Sequence, residues 1–143
     1  MLTRERATAD QVETNKAVVR RFIEEVFGHQ DLDAVDELAA ADFTPHTWGP
    51  MQTGRAALRE AMHRAGAGVT DARFAIHDMI AEGDRVAVRL TSSARHTGTF
   101  MGQPATGRRY SIDEMHIFRL RDGQVVEHWH EFDKGALLEQ LKS

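Results

Sequence analysis

Apolar residues recur at helical spacing through the first half of the chain. This spacing predicts three helices, over Asp10 to Gly28, Asp31 to about Ala40, and about Arg55 to Ala65. A capping box at Asp10 and Glu13 opens the first helix, and Gly28 is a natural stop. We expect residues 1–9 to be frayed, because they are polar and terminal.

Apolar and polar residues alternate in the second half, which is typical of strands with one buried face. Strands are predicted over Ala72–Ala81 and Arg85–His96, followed by a hairpin over Tyr110–Phe132 that turns at Asp122 and Gly123. The stretch 97–107 is a glycine-rich loop, and 134–141 a last short helix. Helices followed by antiparallel strands indicate the α+β class. No linker interrupts residues 1–143, so we expect one domain.

Composition narrows the function classes. The 143 residues are 41% apolar and 28% charged, which suits a globular core. A net charge of −4 argues against a nucleic-acid groove. There is no cysteine, and no apolar run approaches the ~20 residues of a membrane helix. The N-terminus lacks a signal-type apolar region, so we expect a cytoplasmic protein with no nucleic-acid or membrane partner.

The hairpin carries the candidate chemistry. On its first strand Glu114 and His116 share a face with Phe118, and the apolar end of that face places it inward. A buried acid two positions from a buried imidazole can share a proton or orient the ring. The alternatives are that both groups are solvated, or that His116 is a core histidine with satisfied hydrogen bonds.

The second strand of the hairpin alternates as well. Val126, His128, His130 and Phe132 form one face, and Val125, Glu127, Trp129 and Glu131 the other. If the first set faces inward, two imidazoles ~6.5–7 Å apart along the strand could bracket a ligand. With His116 they could instead hold a metal, but an H-x-H pattern alone is common. Trp129 is a pocket wall or a dimer contact, and a bulge would change its face.

Other histidines are weaker candidates. His46 and Trp48 belong to a short extended segment, 43–48, that could form one rim of a pocket, and His96 precedes the glycine-rich loop at a possible pocket mouth. His29, His63 and His77 occupy polar or loop positions and should be solvent-exposed. There is no phosphate loop, nucleophile elbow or HExxH helix, which argues against nucleotide and acyl-enzyme chemistry.

Three segments carry a family resemblance: VRRFIEEVFGHQDLDAVDELAAADFTPH, HTGTFMGQPATGR and DGQVVEHW. Together with the closing FDKGALLEQL they resemble the SnoaL-like polyketide cyclases of the nuclear transport factor 2-like superfamily, over residues 15–142. The resemblance implies a cone-shaped α+β barrel, in which three helices close a curved antiparallel sheet around an apolar pocket. It also implies a homodimer packed through the sheet, and chemistry without cofactor or metal.

Position by position, the resemblance matches His116 to a histidine near the cyclase site and Glu114 to a polar pocket residue. The catalytic aspartate of the cyclases falls at His130, and an imidazole can still act as acid or base near neutral pH. The sequence thus predicts a pocket for a small apolar carbonyl compound, with His130, His116 and Glu114 catalytic. His46, Trp48, His96, Phe118, His128 and Trp129 are the predicted ligand contacts. A non-catalytic binding or dimerisation module and a histidine metal site remain the alternatives.

Overall fold

The computed structural model describes residues 8–47 and 52–142. Helix α1 (Ala9–Arg21) begins at Thr8, whose side chain accepts a hydrogen bond from Gln11 N while the Gln11 side chain accepts one from Thr8 N. The predicted box at Asp10 and Glu13 is therefore wrong. A capping residue needs an extended backbone, which Thr8 has, whereas Asp10 already lies in the first helical turn.

Helix α1 continues as a π-helical segment, Phe22–Gly28, so that the two together cover the first predicted helix. The wider turn buries Phe22, Ile23 and Val26 completely. Phe22 packs edge-on against Phe118 of the sheet, with ring centroids 5.6 Å apart. The segment therefore seals one end of the sheet with aromatic side chains.

The second helix is shorter than predicted. Helix α2 (Leu32–Leu38) is capped by Asp31, and Ala39 already belongs to strand β1 (Ala39–Pro45). Helix α3 (Arg55–Gly68) extends three residues beyond its predicted end. The expected extended segment 43–48 falls partly in β1, and its last residue, Trp48, lies outside the described residues.

Five strands form a curved, unclosed sheet in the order β1-β5-β4-β3-β2. The remaining elements are β2 (Val69–Glu82), β3 (Arg85–His96), β4 (Arg109–Arg121), β5 (Gln124–Phe132) and helix α4 (Lys134–Gln140). Strands β2 to β5 pair antiparallel, as predicted, but β1 pairs parallel to β5. The α+β class is confirmed, with one parallel pair that the sequence did not indicate.

Side chains on the concave face of the sheet alternate with exposed ones along β4, as predicted. Strand β5 differs because a bulge lies opposite Arg119 and Leu120. It buries both Val125 and Val126, so the predicted outward position of Val125 is wrong. The bulge precedes the two histidines, which keep the same inward face.

Two apolar clusters fill the space between the sheet and the helices. The larger one joins the first two helices and α3 to the β3, β4 and β5 side chains around Phe118. The smaller one joins Tyr110 and Ile112 to Leu137 and Leu141 near the last helix. The buried polar residues of β3 to β5 lie along the same inner face. Within residues 8–47 and 52–142, no helix has the length and apolarity needed to cross a membrane.

Candidate acid-base site

Strands β4 and β5 bring the predicted residues together. Their register places His116 opposite His130 and Phe118 opposite His128, and Glu114 is two residues from His116 on the same face. Because each pair faces inward, three imidazoles and one carboxylate meet in the interior. The sequence alone indicated the face of each residue, but the register was needed to show which residues are in contact.

Glu114 is the centre of this cluster. Its Oε1 atom accepts a hydrogen bond from His116 Nε2 at 2.9 Å and lies 2.8 Å from His130 Nε2. The second contact has the distance of an ion pair, but its direction does not meet hydrogen-bond geometry. Behind them, His116 Nδ1 lies 2.8 Å from His128 Nε2. The four side chains thus form a continuous polar chain, His128–His116–Glu114–His130.

The charges in this chain follow from burial and contact. Burial raises the pKa of the Glu114 carboxyl, but the hydrogen bond from His116 and the contacts with His130 outweigh it and lower that pKa to about 2. Burial lowers the pKa of His116, although its bond to Glu114 opposes the change. Burial also lowers the pKa of His128 well below its usual value. The site therefore holds an anionic carboxylate beside two neutral imidazoles.

These charges fix the tautomers of the two inner rings. Neutral His116 carries its proton on Nε2, where the carboxylate accepts it, so its Nδ1 must accept. The donor to Nδ1 is then the Nε2–H of His128. The hydrogen bonds therefore run in one direction, from His128 toward Glu114, and stabilise the negative charge of the carboxylate.

His130 is the accessible member of the cluster. Its side chain is 19% exposed, against 2% for His116. The inner face shows the same gradient: Ser92, Tyr110, Ile112 and Glu114 keep 5–7% exposure, while Val86, Val88, Leu90 and Phe118 have at most 1%. The most exposed side chain of the cluster is therefore His130, followed by Glu114.

The donor set Glu114, His116 and His130 has the composition of a metal site, with one ligand atom from each within 4.8 Å of the others. The orientation of the rings argues against that use. His116 and His130 are stacked, with planes 8° from parallel and centroids 4.1 Å apart. An imidazole binds a metal near its own ring plane, at roughly 2.0–2.1 Å. Two stacked parallel rings do not direct their lone pairs at one point, so this arrangement does not fit a shared metal.

Two of the predicted ligand contacts lie on the opposite face of the sheet. His46 stacks on Trp129, with centroids 4.7 Å apart, and its Nε2 is 2.7 Å from Glu127 Oε2. Trp129 pairs with Ile117, whose side chain points outward. The expectation that His46 and Trp129 line the same pocket as His130 is corrected, because strand alternation separates them. Trp48 lies outside the described residues.

The other predicted contacts are buried. Phe118 and His128 have no exposed surface, and their rings pack together 4.7 Å apart in the core. They support the site from behind rather than border its accessible part. His96 is also fully buried, with Nδ1 3.0 Å from Thr106 Oγ1 and Nε2 3.1 Å from Gln103 O. It holds the loop 97–107 rather than an open pocket mouth. His29, His63 and His77 are exposed, as predicted.

Sequence reasoning overlooked two polar residues of the inner face, Ser92 and Tyr110. Each shares the inward alternation of its strand: Ser92 follows Val88 and Leu90, and Tyr110 precedes Ile112 and Glu114. The alternation that placed Glu114 therefore also contained the signal for these hydroxyls.

The fold is an α+β one, with a curved sheet that carries a carboxylate–imidazole cluster on its concave face. The chain belongs to the SnoaL-like polyketide cyclase family, whose model matches residues 17–141. Among solved structures it is similar to TsrD from Streptomyces laurentii, with 28% identity, a TM-score of 0.82, and coverage of 90% of this chain and 95% of that one. IdmH from Streptomyces antibioticus is also 28% identical, with a TM-score of 0.76 and coverage of 89% and 97%.

Curated relatives match over a shorter stretch. Aklanonic acid methyl ester cyclase DnrD of Streptomyces peucetius is 41% identical over 46 residues, which is 32% of either chain. Nogalonic acid methyl ester cyclase of Streptomyces nogalater is 36% identical over 52 residues, or 35% of this chain and 39% of that protein. The chain thus matches about a third of the length of these relatives. Their substrates are properties of those proteins.

Proposed function

We propose that this protein binds a small, mainly apolar carbonyl compound against the concave face and moves a proton on it without a cofactor, in an isomerisation or aldol-type ring closure. The supporting observation is that His130, the accessible imidazole, has its Nε2 atom 2.8 Å from the buried Glu114 carboxylate. A base needs both access to the ligand and a group that stabilises its protonated form. His130 combines the two.

The carboxylate determines which ring nitrogen of His130 is the base. The Glu114 charge 2.8 Å away favours the neutral tautomer with its proton on Nε2, although the contact falls short of hydrogen-bond geometry, and this tautomer leaves the lone pair on Nδ1. When Nδ1 accepts a proton from the carbon beside a carbonyl group, the imidazolium forms next to an existing negative charge. His116 and His128 keep Glu114 ionised before the reaction, so this stabilisation is prearranged.

The replacement of the cyclase aspartate by His130 changes the base but keeps the charge. An aspartate would supply one negative charge at this position, and here the Glu114–His130 pair supplies one negative charge when the ring is neutral. The imidazole contacts the ligand, and the carboxylate supplies the negative charge. This pairing supports family-type proton transfer with a histidine at position 130.

Hydrogen–deuterium exchange on a ketone tests this function without knowledge of the natural substrate. Incubation of 2-tetralone with the protein in deuterium oxide should accelerate loss of the proton NMR signals next to its carbonyl group. His130→Gln should abolish the acceleration, whereas His63→Gln, on the exposed face of α3, should retain it. Equal exchange with His130→Gln would refute the assignment. If 2-tetralone binds but wild-type protein does not accelerate exchange, the non-catalytic binding module is the better description.

We also propose a homodimer that packs through the convex face of the sheet. Met115 and Ile117 are 55% and 41% exposed there, next to Trp129. Large apolar side chains grouped on one sheet face are typical of a protein interface. The ion pair between Arg119 and Glu127 borders this group and would lie within or beside the interface.

A further inference from the structure

We propose that the hydroxyl groups of Ser92 and Tyr110 form a binding site for an oxygen atom of the ligand, on the same inner face of the sheet as His130. The proposal rests on the proposed function for the role of His130, but it stands on separate residues. It makes Ser92 and Tyr110 determinants of ligand specificity, and it selects flat ring compounds that carry an oxygen away from the reacting carbon.

The sheet register makes the two hydroxyl residues near neighbours on adjacent strands. Ser92 pairs with Ile112, and Ala94 pairs with Tyr110. These are successive inward-facing pairs of β3 and β4. Ser92 and Tyr110 are therefore diagonal neighbours on the inner face. Such neighbours lie roughly 7–8 Å apart at their backbones, within reach of a long aromatic side chain.

Ser92 is also a diagonal neighbour of Glu114, which pairs with Leu90. Since Glu114 contacts His130, one polar row joins three strands: His130 on β5, Glu114 and Tyr110 on β4, and Ser92 on β3. The spacing from Glu114 to Ser92 is again roughly 7–8 Å. A planar ligand of fused rings can therefore lie along this row between the base and the hydroxyls.

Burial distinguishes these hydroxyls from ordinary surface groups. Ser92 is 5% and Tyr110 6% exposed, and both lie among apolar residues of the inner face. A buried hydroxyl that lacks a partner is costly. If the two hydroxyls bond to each other, only one of their two protons is used, because one group donates and the other accepts. The remaining proton is available to a ligand oxygen.

Tyr110 keeps its proton under ordinary conditions. Burial raises the pKa of its phenol and the nearby Glu114 charge adds to this, bringing the pKa to about 12 although Arg109 and Ser92 oppose the change. A neutral phenol donates a hydrogen bond and does not repel an oxygen that gains negative charge. Deprotonation of a conjugated ligand by His130 would send charge to such an oxygen.

Aromatic rings flank both ends of the polar row. Phe100, from the loop 97–107, lies 12° from parallel to Tyr110 with centroids 6.0 Å apart. Phe132 packs beside His130, with centroids 5.0 Å apart. Flat aromatic surfaces at both ends suit a planar ligand, whose oxygen then determines its orientation along the row.

The test compares 2-naphthol with naphthalene, which has the same ring system but no oxygen. Calorimetric titration should show that wild-type protein prefers 2-naphthol. Tyr110→Phe and Ser92→Ala should each reduce its affinity by about 3–10-fold, the effect of one net hydrogen bond, and leave naphthalene binding unchanged. Tyr110→Phe preserves the ring that packs on Phe100. Ser111→Ala, on the exposed side of β4, is the matched control and should bind both ligands normally.

Two results would overturn the inference: no preference of wild-type protein for 2-naphthol, or equal loss of both ligands in Tyr110→Phe and Ser92→Ala. The exchange assay with His130→Gln separates this inference from the proposed function. Selective loss of 2-naphthol binding in the hydroxyl variants supports the oxygen site even if His130→Gln retains exchange. The converse result would be loss of exchange in His130→Gln together with unchanged 2-naphthol binding in both hydroxyl variants. That result would support the proposed function and refute the oxygen site.

Discussion

His116 and His130 lie face to face on neighbouring strands, with ring centroids 4.1 Å apart, and the Glu114 carboxylate contacts the Nε2 atom of each. Two imidazolium ions this close would repel each other, so the pair holds at most one proton beyond neutrality near pH 7. Burial lowers the pKa of His116, so this inner ring stays neutral near pH 7. Under the proposed function the two rings have different roles: the buried His116 keeps Glu114 ionised, and the more exposed His130 meets the ligand.

The first prediction concerns the protonation state of His116. Proton–nitrogen NMR of the histidine rings should show His116 as the neutral Nε2–H tautomer at pH 7. Burial favours the neutral ring, and the hydrogen bond to Glu114 selects the tautomer that carries its proton on Nε2. An imidazolium signal from His116 at pH 7 would contradict the proposed charge distribution.

The second prediction is loss of stability in mild acid. The pKa values of His116 and His128 are lowered in the folded state, so the unfolded chain binds more protons as the pH falls below about 6.5. The free energy of unfolding should then decrease by up to about 1.4 kcal/mol per pH unit for each proton. Glu114, with its pKa of about 2, adds a further loss below about pH 4.5.

Urea unfolding at several pH values measures this slope. His128→Gln removes one of the buried imidazoles and should reduce the slope between pH 6.5 and 5, whatever its effect on stability at pH 7. His63→Gln, on the exposed side of α3, is the matched control. Equal slopes in His128→Gln and wild type would show that His128 is not a buried neutral group.

The third prediction concerns Glu114→Gln. The amide keeps the shape of the side chain but removes the charge that stabilises protonated His130, so exchange of 2-tetralone should slow by on the order of 10²-fold. Glu131→Gln, an exposed carboxylate on the next strand, should exchange at the wild-type rate. A Glu114→Gln variant that folds normally by circular dichroism and exchanges at the wild-type rate would refute the role of the carboxylate.

The fourth prediction concerns His46 and Thr47, which follow strand β1 and bond to the backbone of β5. Thr47 Oγ1 accepts a hydrogen bond from His130 N at 2.9 Å, and His46 N donates to His128 O at 2.9 Å. Thr47→Val should loosen the backbone at His130 and lower the exchange rate by about 3–10-fold, with a loss of about 1 kcal/mol in stability. Thr44→Val is the control, because the hydroxyl of Thr44 bonds only locally to Asp42 O. Unchanged exchange in Thr47→Val would mean that this contact does not position His130.

The fifth prediction tests the proposed dimer. Ile117→Asp places a charge in the apolar part of the convex face and should convert a dimer into a monomer, as measured by light scattering coupled to size-exclusion chromatography. Asp113→Asn, also outward on β4, is a milder change away from the apolar group. A monomeric wild-type protein would refute the dimer directly.

Local alternation explains why much of the sheet could be predicted. Buried and exposed side chains alternate along β4 without interruption from Tyr110 to Leu120. The inward positions of Glu114 and His116 could therefore be predicted from this alternation. On β5 the same rule failed at Val125, because a bulge adds a residue and no local pattern marks its place. The rule held for His128 and His130 because both lie beyond the bulge.

The positions of His46 and Trp129 could not be predicted in the same way. They depend on the parallel pairing of β1 with β5, which joins residues about 80 positions apart in the chain, such as Pro45 and His128. Alternation assigns faces within one strand but does not indicate which edge strand will pair beside it. The burial of His96 likewise depends on the path of the loop 97–107, which returns Gln103 and Thr106 to its ring.

The contacts that hold the loop 97–107 in place matter for protein engineering. His96 and the contact of Gly98 N with Gly68 O at 3.0 Å hold its base, and a side chain at Gly98 would collide with Ala67 O. Its tip, residues 99–102, places Phe100 against Tyr110. The tip also packs closely on Gly68, where an added Cβ would lie 2.7 Å from Phe100 Cβ, so Phe100 belongs to the packed scaffold as well. Libraries in this loop should therefore keep Gly68, Gly98 and Phe100 unchanged, because substitutions there would disturb the scaffold.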